Sequence, residues 1–265
     1  MAAKADIRLD GKVALITGAG RGLGSVLART FAERGASVII NYAKSAKPAL
    51  ATVAEIEKNG GKAIAIQGDV SKPAEIAALF EQGVKHFGKL DIVVNNAGME
   101  AFAKPEEVTE ELWDQVFNIN TRAQFFVGVN ALKHLSDGGR IIFMSSIAAG
   151  MSVPNHALYA ASKSANEGLA RSFAADGGPR RITANAIAPG GIKTDMFEQN
   201  AWHYAPGGTP ETPISQIEAG IAKLVPLGRV AQPKDIANVV MFLSHPDSEW
   251  INGQVIRLTG GASNA

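Results

Sequence analysis

Residues 13–24 read Val-Ala-Leu-Ile-Thr-Gly-Ala-Gly-Arg-Gly-Leu-Gly and pass from an apolar run directly into a glycine-rich stretch. An amphipathic pattern typical of a helix follows at residues 25–34. Glycines at such a junction let the backbone turn tightly and approach a pyrophosphate, whose negative charge is stabilised at the helix N-terminus. The order of strand, glycine loop and helix therefore predicts a dinucleotide-binding unit, with Gly18, Gly22 and Gly24 in the phosphate loop.

The alternation of strand and helix patterns continues along the chain. Further apolar runs of strand length cover residues 37–41, 63–67, 92–95, 141–145, 183–188 and 255–258. Apolar residues are continuous within these runs rather than alternating, which indicates strands that are buried on both faces of a parallel sheet. We therefore predict an α/β fold of the Rossmann type, a doubly wound parallel sheet of about seven strands with helices on both faces.

The chain has the size and composition of one globular domain. It contains 265 residues, of which 46% are hydrophobic and 19% are charged, so a single domain over residues 1–265 can bury a sizeable core. Residues 189–228 are rich in Pro and Gly and too long for a plain connection. We predict that this segment is a substrate-binding lid.

Composition argues against several classes of partner. The formal net charge is +1, and the densest basic run is only Pro179-Arg180-Arg181, so neither nucleic acid nor a membrane surface is indicated. There is no cysteine, and the five histidines show no ligand spacing, so we expect no metal site and place His203 on a surface loop. The first residues lack the apolar stretch of a signal peptide, and no run of about 18 apolar residues could span a bilayer. We expect a cytoplasmic protein.

The end of the second predicted strand bears on the choice of nicotinamide cofactor. An acidic residue about 20 residues after the glycine loop binds the ribose 2′-hydroxyl of NAD, but Asn41 stands at that place. Tyr42, Ser45 and the cation Lys44 follow it, and Arg21 of the glycine loop can face the same pocket. Neutral donors and cations favour a 2′-phosphate, so we predict NADP (NADPH) as the cofactor.

Tyr159 and Lys163 form the clearest catalytic pattern. A spacing of four residues places both side chains on one face of a helix. A lysine cation one turn away favours the phenolate and is expected to lower the tyrosine pKa from its usual value of about 10. This pair predicts a general acid.

These elements together resemble the short-chain dehydrogenase/reductase family, and the resemblance covers nearly the whole chain. The matching elements are the Gly18, Gly22 and Gly24 spacing, Gly68-Asp69-Val70, Asn95-Asn96-Ala97-Gly98, Asn120 in Asn118-Ile119-Asn120-Thr121, Ser146, Tyr159 with Lys163, and Pro189-Gly190-Gly191-Ile192-Lys193-Thr194.

The resemblance implies a role for each matching residue. Catalysis is assigned to Asn120, Ser146, Tyr159 and Lys163: the serine holds a carbonyl oxygen, the tyrosine gives its proton to the developing alkoxide, and Asn120 holds a water that links Lys163 to solvent. Ser145 is the second choice for the serine role, because neighbours on a strand point to opposite faces. The cofactor contacts implied are Leu23, Asp69, Val70, Asn96, Ala97, Gly98, Pro189, Gly190, Ile192 and Thr194, with Tyr159 and Lys163 at the nicotinamide ribose. The family also implies a homotetramer joined through helices that start near Val108 and Ala157.

One branch of the family resembles the chain more closely. Asn118 to Phe126, Pro189 to Met196 and Trp202-His203-Tyr204-Ala205-Pro206 are similar to fungal polyhydroxynaphthalene reductases and their relatives that act on anthraquinones. The resemblance implies an NADPH-dependent ketoreductase that reduces the keto tautomer of a polycyclic phenolic polyketide. Ser146 and Tyr159 would meet this substrate, with Phe197, Trp202 and Tyr204 closing over its flat rings.

Two alternatives remain open from the sequence. The first is another short-chain oxidoreductase that acts on an acyl-carrier-bound ketone, a steroid or a small alcohol. A carrier protein would favour a basic rim, which is not evident. The second is a nucleotide-binding redox sensor without turnover. Such proteins usually lose the Tyr or Lys of the pair, and this chain keeps both.

Overall fold

The computed structural model describes residues 7–205 and 207–262; Pro206 of the aromatic lid motif and the two chain ends lie outside the described residues. Seven strands form one parallel sheet in the order β3-β2-β1-β4-β5-β6-β7. The strands are β1 Val13–Ile16, β2 Ser37–Tyr42, β3 Lys62–Gln67, β4 Ile92–Asn95, β5 Arg140–Met144, β6 Thr183–Pro189 and β7 Val255–Leu258. The predicted α/β fold with about seven parallel strands is confirmed.

Helices cover both faces of the sheet and the cleft at its edge. They are α1 Gly22–Glu33, α2 Ala46–Lys58, α3 Pro73–Phe87, α4 Glu110–Phe117, α5 Ala123–His134, α6 Ala157–Gly177, α7 Asp195–Asn200, α8 Ile214–Leu224 and α9 Pro233–Ser244. A π-helical turn, Asn118–Arg122, joins α4 to α5. In the described part of the chain, we find no helix with both the length and the apolarity to cross a bilayer.

The sheet has a separate core on each face. Leu27 and Phe31 of α1 pack with Val240 of α9 against one face, and Phe80 of α3 packs with Phe173 of α6 in the core of the other. The four central strands β1, β4, β5 and β6 are buried along their whole length, whereas β3 and β7 at the two edges are only partly buried. Continuous apolar runs therefore appear where helices cover both faces.

The strand order reverses between β1 and β4, which both pair with neighbours on opposite sides. Loops that leave the carboxyl ends of these two strands diverge and open a crevice, the place where ligands bind in doubly wound sheets. Residues 189–228, the predicted lid, stand over this edge and contain α7, a short 3-10 helix (Ala201–Tyr204) and α8. They have a small core of their own, formed by Phe197, Ala201 and Ile217 with Val230.

Candidate active site

A cavity of about 1030 Å³ runs along the carboxyl edge of the sheet. Its walls come from the glycine loop after β1, from the loops after β2 to β6, and from α7 with the 3-10 helix that follows it. The cavity contains almost all of the site residues that the sequence predicts. Crossovers of the same hand bring these loops to one edge, although they are far apart in the chain.

The glycine loop is shaped for close approach of backbone to a ligand. Gly18 has a φ of +62°, and a Cβ there would lie 2.8 Å from the Cα of Ala97. The side-chain amide of Asn96 donates to the carbonyls of Thr17 (3.0 Å) and Gly18 (3.1 Å). Asn96 therefore stabilises the glycine loop. A residue larger than glycine at position 18 would push the loop away from Ala97.

Asn41 does not offer its side chain to a ribose phosphate. It is buried, its Oδ1 accepts a hydrogen bond from the Gly18 N–H at 3.2 Å, and its Nδ2 donates to the carbonyls of Gly68 (3.0 Å) and Ile66 (3.4 Å). The sequence-based prediction of a phosphate donor at Asn41 is therefore wrong, because three backbone groups already use this amide. Asn41 instead joins the glycine loop to the end of β3.

The cations predicted for the same pocket lie at its mouth. Tyr42, Lys44 and Ser45 line the cavity, with Lys44 exposed. Arg21 lies 3.7 Å from Asp195, the first residue of α7, and both side chains are about three-fifths exposed. This ion pair is screened by solvent and connects the glycine loop to the lid. Arg21 therefore faces α7 as well as the cleft.

Asp69 and Val70 line the cavity after β3. Burial raises the pKa of Asp69, but hydrogen bonds from the Ser71 hydroxyl (2.7 Å) and N–H (3.0 Å) and the nearby cations of Lys72 and Lys44 lower it more. Asp69 is thus an ionised acceptor at neutral pH. The cavity is also lined by residues that the sequence predicts as cofactor contacts: Leu23, Gly98, Pro189, Gly190, Ile192 and Thr194.

The carbonyl of Met144, the last residue of β5, collects three side-chain donors. These are Lys163 Nζ at 3.2 Å, Asn166 Nδ2 at 3.1 Å and Gln124 Nε2 at 3.1 Å. Lys163 and Asn166 lie one turn apart on α6. Their hydrogen bonds to the Met144 carbonyl therefore hold this face of the helix against the end of β5. Lys163 has two companions that can keep this carbonyl satisfied if its ammonium turns to a ligand.

Asn120 lies fully buried in the π-helical turn between α4 and α5. Its amide exchanges two hydrogen bonds with the Met99 backbone, accepting at 2.8 Å and donating at 2.9 Å. A Cβ on Gly98 would lie 3.2 Å from Asn120 Oδ1 and 3.3 Å from Lys163 Nζ. Asn120 therefore lies beside the lysine, and π-turns of this kind often occur at functional sites.

The two serines after β5 both line the cavity, but their hydroxyls make different contacts. Ser145 is buried and its hydroxyl donates to the Lys163 carbonyl and to Glu167, each at 3.1 Å. Ser146 lines the cavity, accepts a hydrogen bond from the Ala148 N–H at 3.2 Å, and hydrogen-bonds with Tyr159. Ser146 is thus the serine placed beside the phenol.

Tyr159 and Lys163 are both buried, and Lys163 Nζ is 5.6 Å from the centroid of the phenol ring. Burial raises the pKa of Tyr159, the Glu100 carboxylate raises it further, and the Ser146 hydrogen bond opposes the rise. Burial lowers the pKa of Lys163 to about 8, with Glu100 opposing. The expectation of a lowered tyrosine pKa is wrong for this structure, because removal from water disfavours the phenolate and the ammonium alike.

The lid aromatics divide between the cavity and the lid core. Phe197 is buried in the lid core and reaches the cavity at one edge. Trp202 packs on that core and donates its indole N–H to the Gln199 carbonyl at 3.1 Å; it is not among the cavity-lining residues. Tyr204 lines the cavity and hydrogen-bonds with Glu100. The prediction that Trp202 covers substrate therefore does not agree with the structure.

His203, expected on a surface loop, lines the cavity instead. Its ring stacks between Trp202 (centroids 3.5 Å apart) and Phe102 (3.9 Å apart, interplanar angle 7°). Phe102 also stacks on His156, which in turn contacts the Tyr159 ring at 4.6 Å. A column of flat rings thus leads from the lid to the phenol.

Glu100, Phe102 and His156 are the residues that sequence reasoning missed. Glu100 is the single acidic residue between Asp91 and Glu106, and it follows the end of β4. That position placed it at the same sheet edge as Ser146, a signal that could have identified it. Its contact with Tyr204 joins residues 104 positions apart, which no local pattern shows.

Comparison with known proteins agrees with this geometry. A family model described as enoyl-(acyl carrier protein) reductase matches residues 18–263. The chain is 60% identical over 255 residues to a hydroxynaphthalene reductase-like protein of Metarhizium brunneum, with 96% of each chain covered. It is 60% identical over 252 residues to a tetrahydroxynaphthalene reductase of Pestalotiopsis fici, with 95% of this chain and 91% of that protein covered. A solved short chain dehydrogenase from Burkholderia cenocepacia in complex with NADP has a TM-score of 0.86 at 36% identity, with 97% of this chain and 100% of that chain covered.

Proposed function

The chain belongs to the short-chain dehydrogenase/reductase family, and on that premise we propose that it is an NADPH-dependent ketoreductase of polycyclic phenolic polyketides. The observation that carries the proposal is the meeting of Ser146 and Tyr159 with the aromatic walls of His203 and Tyr204 in one cavity. Names of the 60% identical relatives support hydroxynaphthalenes as the substrate class.

The residues at the glycine loop fit a dinucleotide. Position 18 has no room for a Cβ, the first residues of α1 (Gly22 to Gly24) line the cavity, and no carboxylate stands at the end of β2. Lys44, Ser45 and Arg21 would hold the 2′-phosphate, and Asp69 with Val70 would hold the adenine. Lys163 and Tyr159 would hold the nicotinamide ribose, while Pro189, Gly190, Ile192 and Thr194 would border the ring. The solved neighbour that contains NADP supports this choice over NAD.

Carbonyl binding and proton transfer are assigned to different side chains of the protein. When bound, the reduced nicotinamide supplies the hydride. The Ser146 hydroxyl holds the carbonyl oxygen of the substrate, and Tyr159 donates its phenolic proton to that oxygen as negative charge develops. Because its pKa is raised, Tyr159 carries this proton at neutral pH. Lys163 remains cationic below about pH 8 and would hold the nicotinamide ribose beside the phenol. The family resemblance assigns Asn120, beside Lys163, to the water that returns the proton; its amide itself bonds with Met99 and Ser162.

The substrate must present a ketone, because an aromatic phenol has no carbonyl carbon to receive hydride. A stacked and water-poor cavity that binds the keto tautomer against Tyr159 and Ser146 lowers the barrier for a phenolic substrate. The rings of His203 and Tyr204 line the cavity and supply such walls. Residues 189–228 act as the lid, since they carry both rings over the cavity.

The assembly is proposed to be a homotetramer in the cytoplasm. Trp113 and Phe125 of α4 and α5 and the neighbouring Val129 are large apolar side chains that remain more than two-fifths exposed. Exposed apolar surface of this kind favours burial between copies of the chain. Light scattering coupled to gel filtration measures the mass in solution. A monomer would contradict the assembly.

The test of the function is a substrate panel with purified protein and either NADPH or NADH. Hydroxynaphthalenes, hydroxyanthraquinones, a steroid ketone and simple ketones are compared by kcat/KM. Reduction of the hydroxynaphthalenes with NADPH supports the proposal. Activity confined to small ketones, or to acyl-carrier thioesters, would favour the alternative substrates. Tight nucleotide binding with no turnover of any compound would favour the sensor.

A further inference from the structure

Glu100 places a carboxylate in a part of the cavity that the proposed mechanism does not use. The residue follows β4 by a few positions and lines the cavity, where its side chain is only 10% exposed. Burial raises its pKa, while the Tyr204 hydrogen bond and the Lys163 charge oppose the rise. A carboxylate with so little contact with water needs hydrogen-bond donors to offset its desolvation.

Among the described residues, hydrogen bonds reach only one of the two carboxylate oxygens. The Tyr204 hydroxyl donates to Oε1, and His156 Nε2 lies 3.8 Å from the same oxygen and 3.2 Å from the Tyr204 oxygen. Burial lowers the pKa of His156 to about 4, so its ring is neutral at physiological pH. For Oε2, none of the residues within 7–205 and 207–262 supplies a hydrogen bond. This oxygen is an acceptor at the wall of the substrate cavity.

We propose that Glu100 is a specificity-determining residue, whose free oxygen accepts a hydrogen bond from a ring hydroxyl of the substrate while Ser146 and Tyr159 hold the reacting carbonyl. The inference rests on the proposed reductase function and adds the second polar contact that the substrate makes. Phenolic hydroxyls lie in the plane of their ring, so a ring packed beside Tyr204, which lines the cavity and hydrogen-bonds with Glu100, can direct one at the adjacent carboxylate. A ketone without the hydroxyl leaves that oxygen unpaired, which costs binding in the transition state.

The competing role for Glu100 is structural: it could serve only to hold Tyr204 of the lid. That role involves Oε1 and makes no distinction between substrates with and without a ring hydroxyl. Glu100→Gln keeps an acceptor for Tyr204 and removes the charge, whereas Tyr204→Phe removes the donor and keeps the charge. The two variants therefore separate substrate recognition from lid attachment.

The experiment compares 2-tetralone with its ring-hydroxylated isomers, using NADPH and steady-state kcat/KM. Wild type is expected to prefer at least one hydroxylated isomer by about tenfold or more, in line with a hydrogen bond to a charged group. Glu100→Gln should reduce that preference by about tenfold. Because the Glu100 carboxylate also raises the pKa of Tyr159, a rate change common to 2-tetralone and its hydroxylated isomers is expected beside it, and the ratio between substrates is the readout. Tyr204→Phe should retain the preference. Glu106→Gln, an exposed acid outside the cavity, is the matched control.

Two results would overturn the inference while leaving the reductase function intact. One is equal loss on 2-tetralone and on every hydroxylated isomer in Glu100→Gln; the other is the same profile in Glu100→Gln and Tyr204→Phe. NADPH affinity and Tm of each variant are measured alongside, so that a general loss of cofactor binding or folding is separated from a change in substrate preference. Tyr204→Phe should lower Tm, because it removes the donor from the buried carboxylate. Failure of wild type to reduce any ketone or hydroxynaphthalene with NADPH would overturn the proposed function itself, and the inference with it.

Discussion

Replacing Tyr159 by Phe removes one oxygen atom and tests the proposed acid directly. The ring is 8% exposed, and its contacts with His156 (4.6 Å) and with Lys163 Nζ (5.6 Å) involve the ring rather than the hydroxyl. The hydroxyl contributes a hydrogen bond with Ser146, so stability should change by no more than about 1.5 kcal/mol. Any large effect on rate then reports the missing proton donor.

General acid catalysis contributes about 10²- to 10⁴-fold, which corresponds to about 2.7 to 5.5 kcal/mol of barrier. We expect turnover of the preferred hydroxynaphthalene to fall by at least about 10²-fold. NADPH affinity, measured by fluorescence titration, should fall by no more than about tenfold, because the hydroxyl gives one ribose contact while Lys163 and the glycine loop remain. A variant that keeps more than about a tenth of wild-type turnover would refute the assignment of Tyr159 as the acid. A fall in Tm as large as that caused by truncating a buried core side chain would refute the reasoning that the hydroxyl is dispensable for packing.

The remaining predictions concern the cofactor and the lid. NADPH affinity of the free enzyme should fall as pH rises through about 8, because Lys163 is cationic below its lowered pKa and neutral above it; titrations across this range should show the dependence in wild type and none in Lys163→Met. Asn41→Asp should lower Tm without a switch to NADH, since a carboxylate there would face the Ile66 and Gly68 carbonyls; a clean switch at unchanged Tm would contradict this. Lys44→Ala should reduce the kcat/KM preference for NADPH over NADH by about three- to tenfold, and an unchanged ratio would remove Lys44 from the phosphate site. Trp202→Ala should lower Tm and leave the ranking of substrates unaltered, because this ring packs on the lid core; selective loss on polycyclic substrates would return Trp202 to the cavity wall.

Local sequence patterns were enough to predict the features that depend on residues close together in the chain: the strands, the glycine loop and the catalytic pair. The buried strands were located within one residue at each end, because apolar runs flanked by polar turns reflect burial on both faces. The glycine loop was recognisable because position 18 needs a positive φ that glycine readily adopts. Tyr159 and Lys163 share a helix face for the same kind of reason, since a spacing of four residues is a property of the helix itself.

The tertiary structure decided whatever depends on partners from distant segments. The side-chain amide of Asn41 already hydrogen-bonds with backbone groups of the glycine loop and of the end of β3. The residue type alone could not show that this amide is unavailable to a ligand. The pKa of Tyr159 depends on burial and on Glu100, neither of which the spacing to Lys163 contains. Glu100 contacts Tyr204 because the parallel crossovers bring the loops after the strands to one edge of the sheet, and the lid segment lies over that same edge. Chain proximity thus specified the strands, the loop and the catalytic pair, whereas desolvation and contacts between remote loops specified which side chains are free to act.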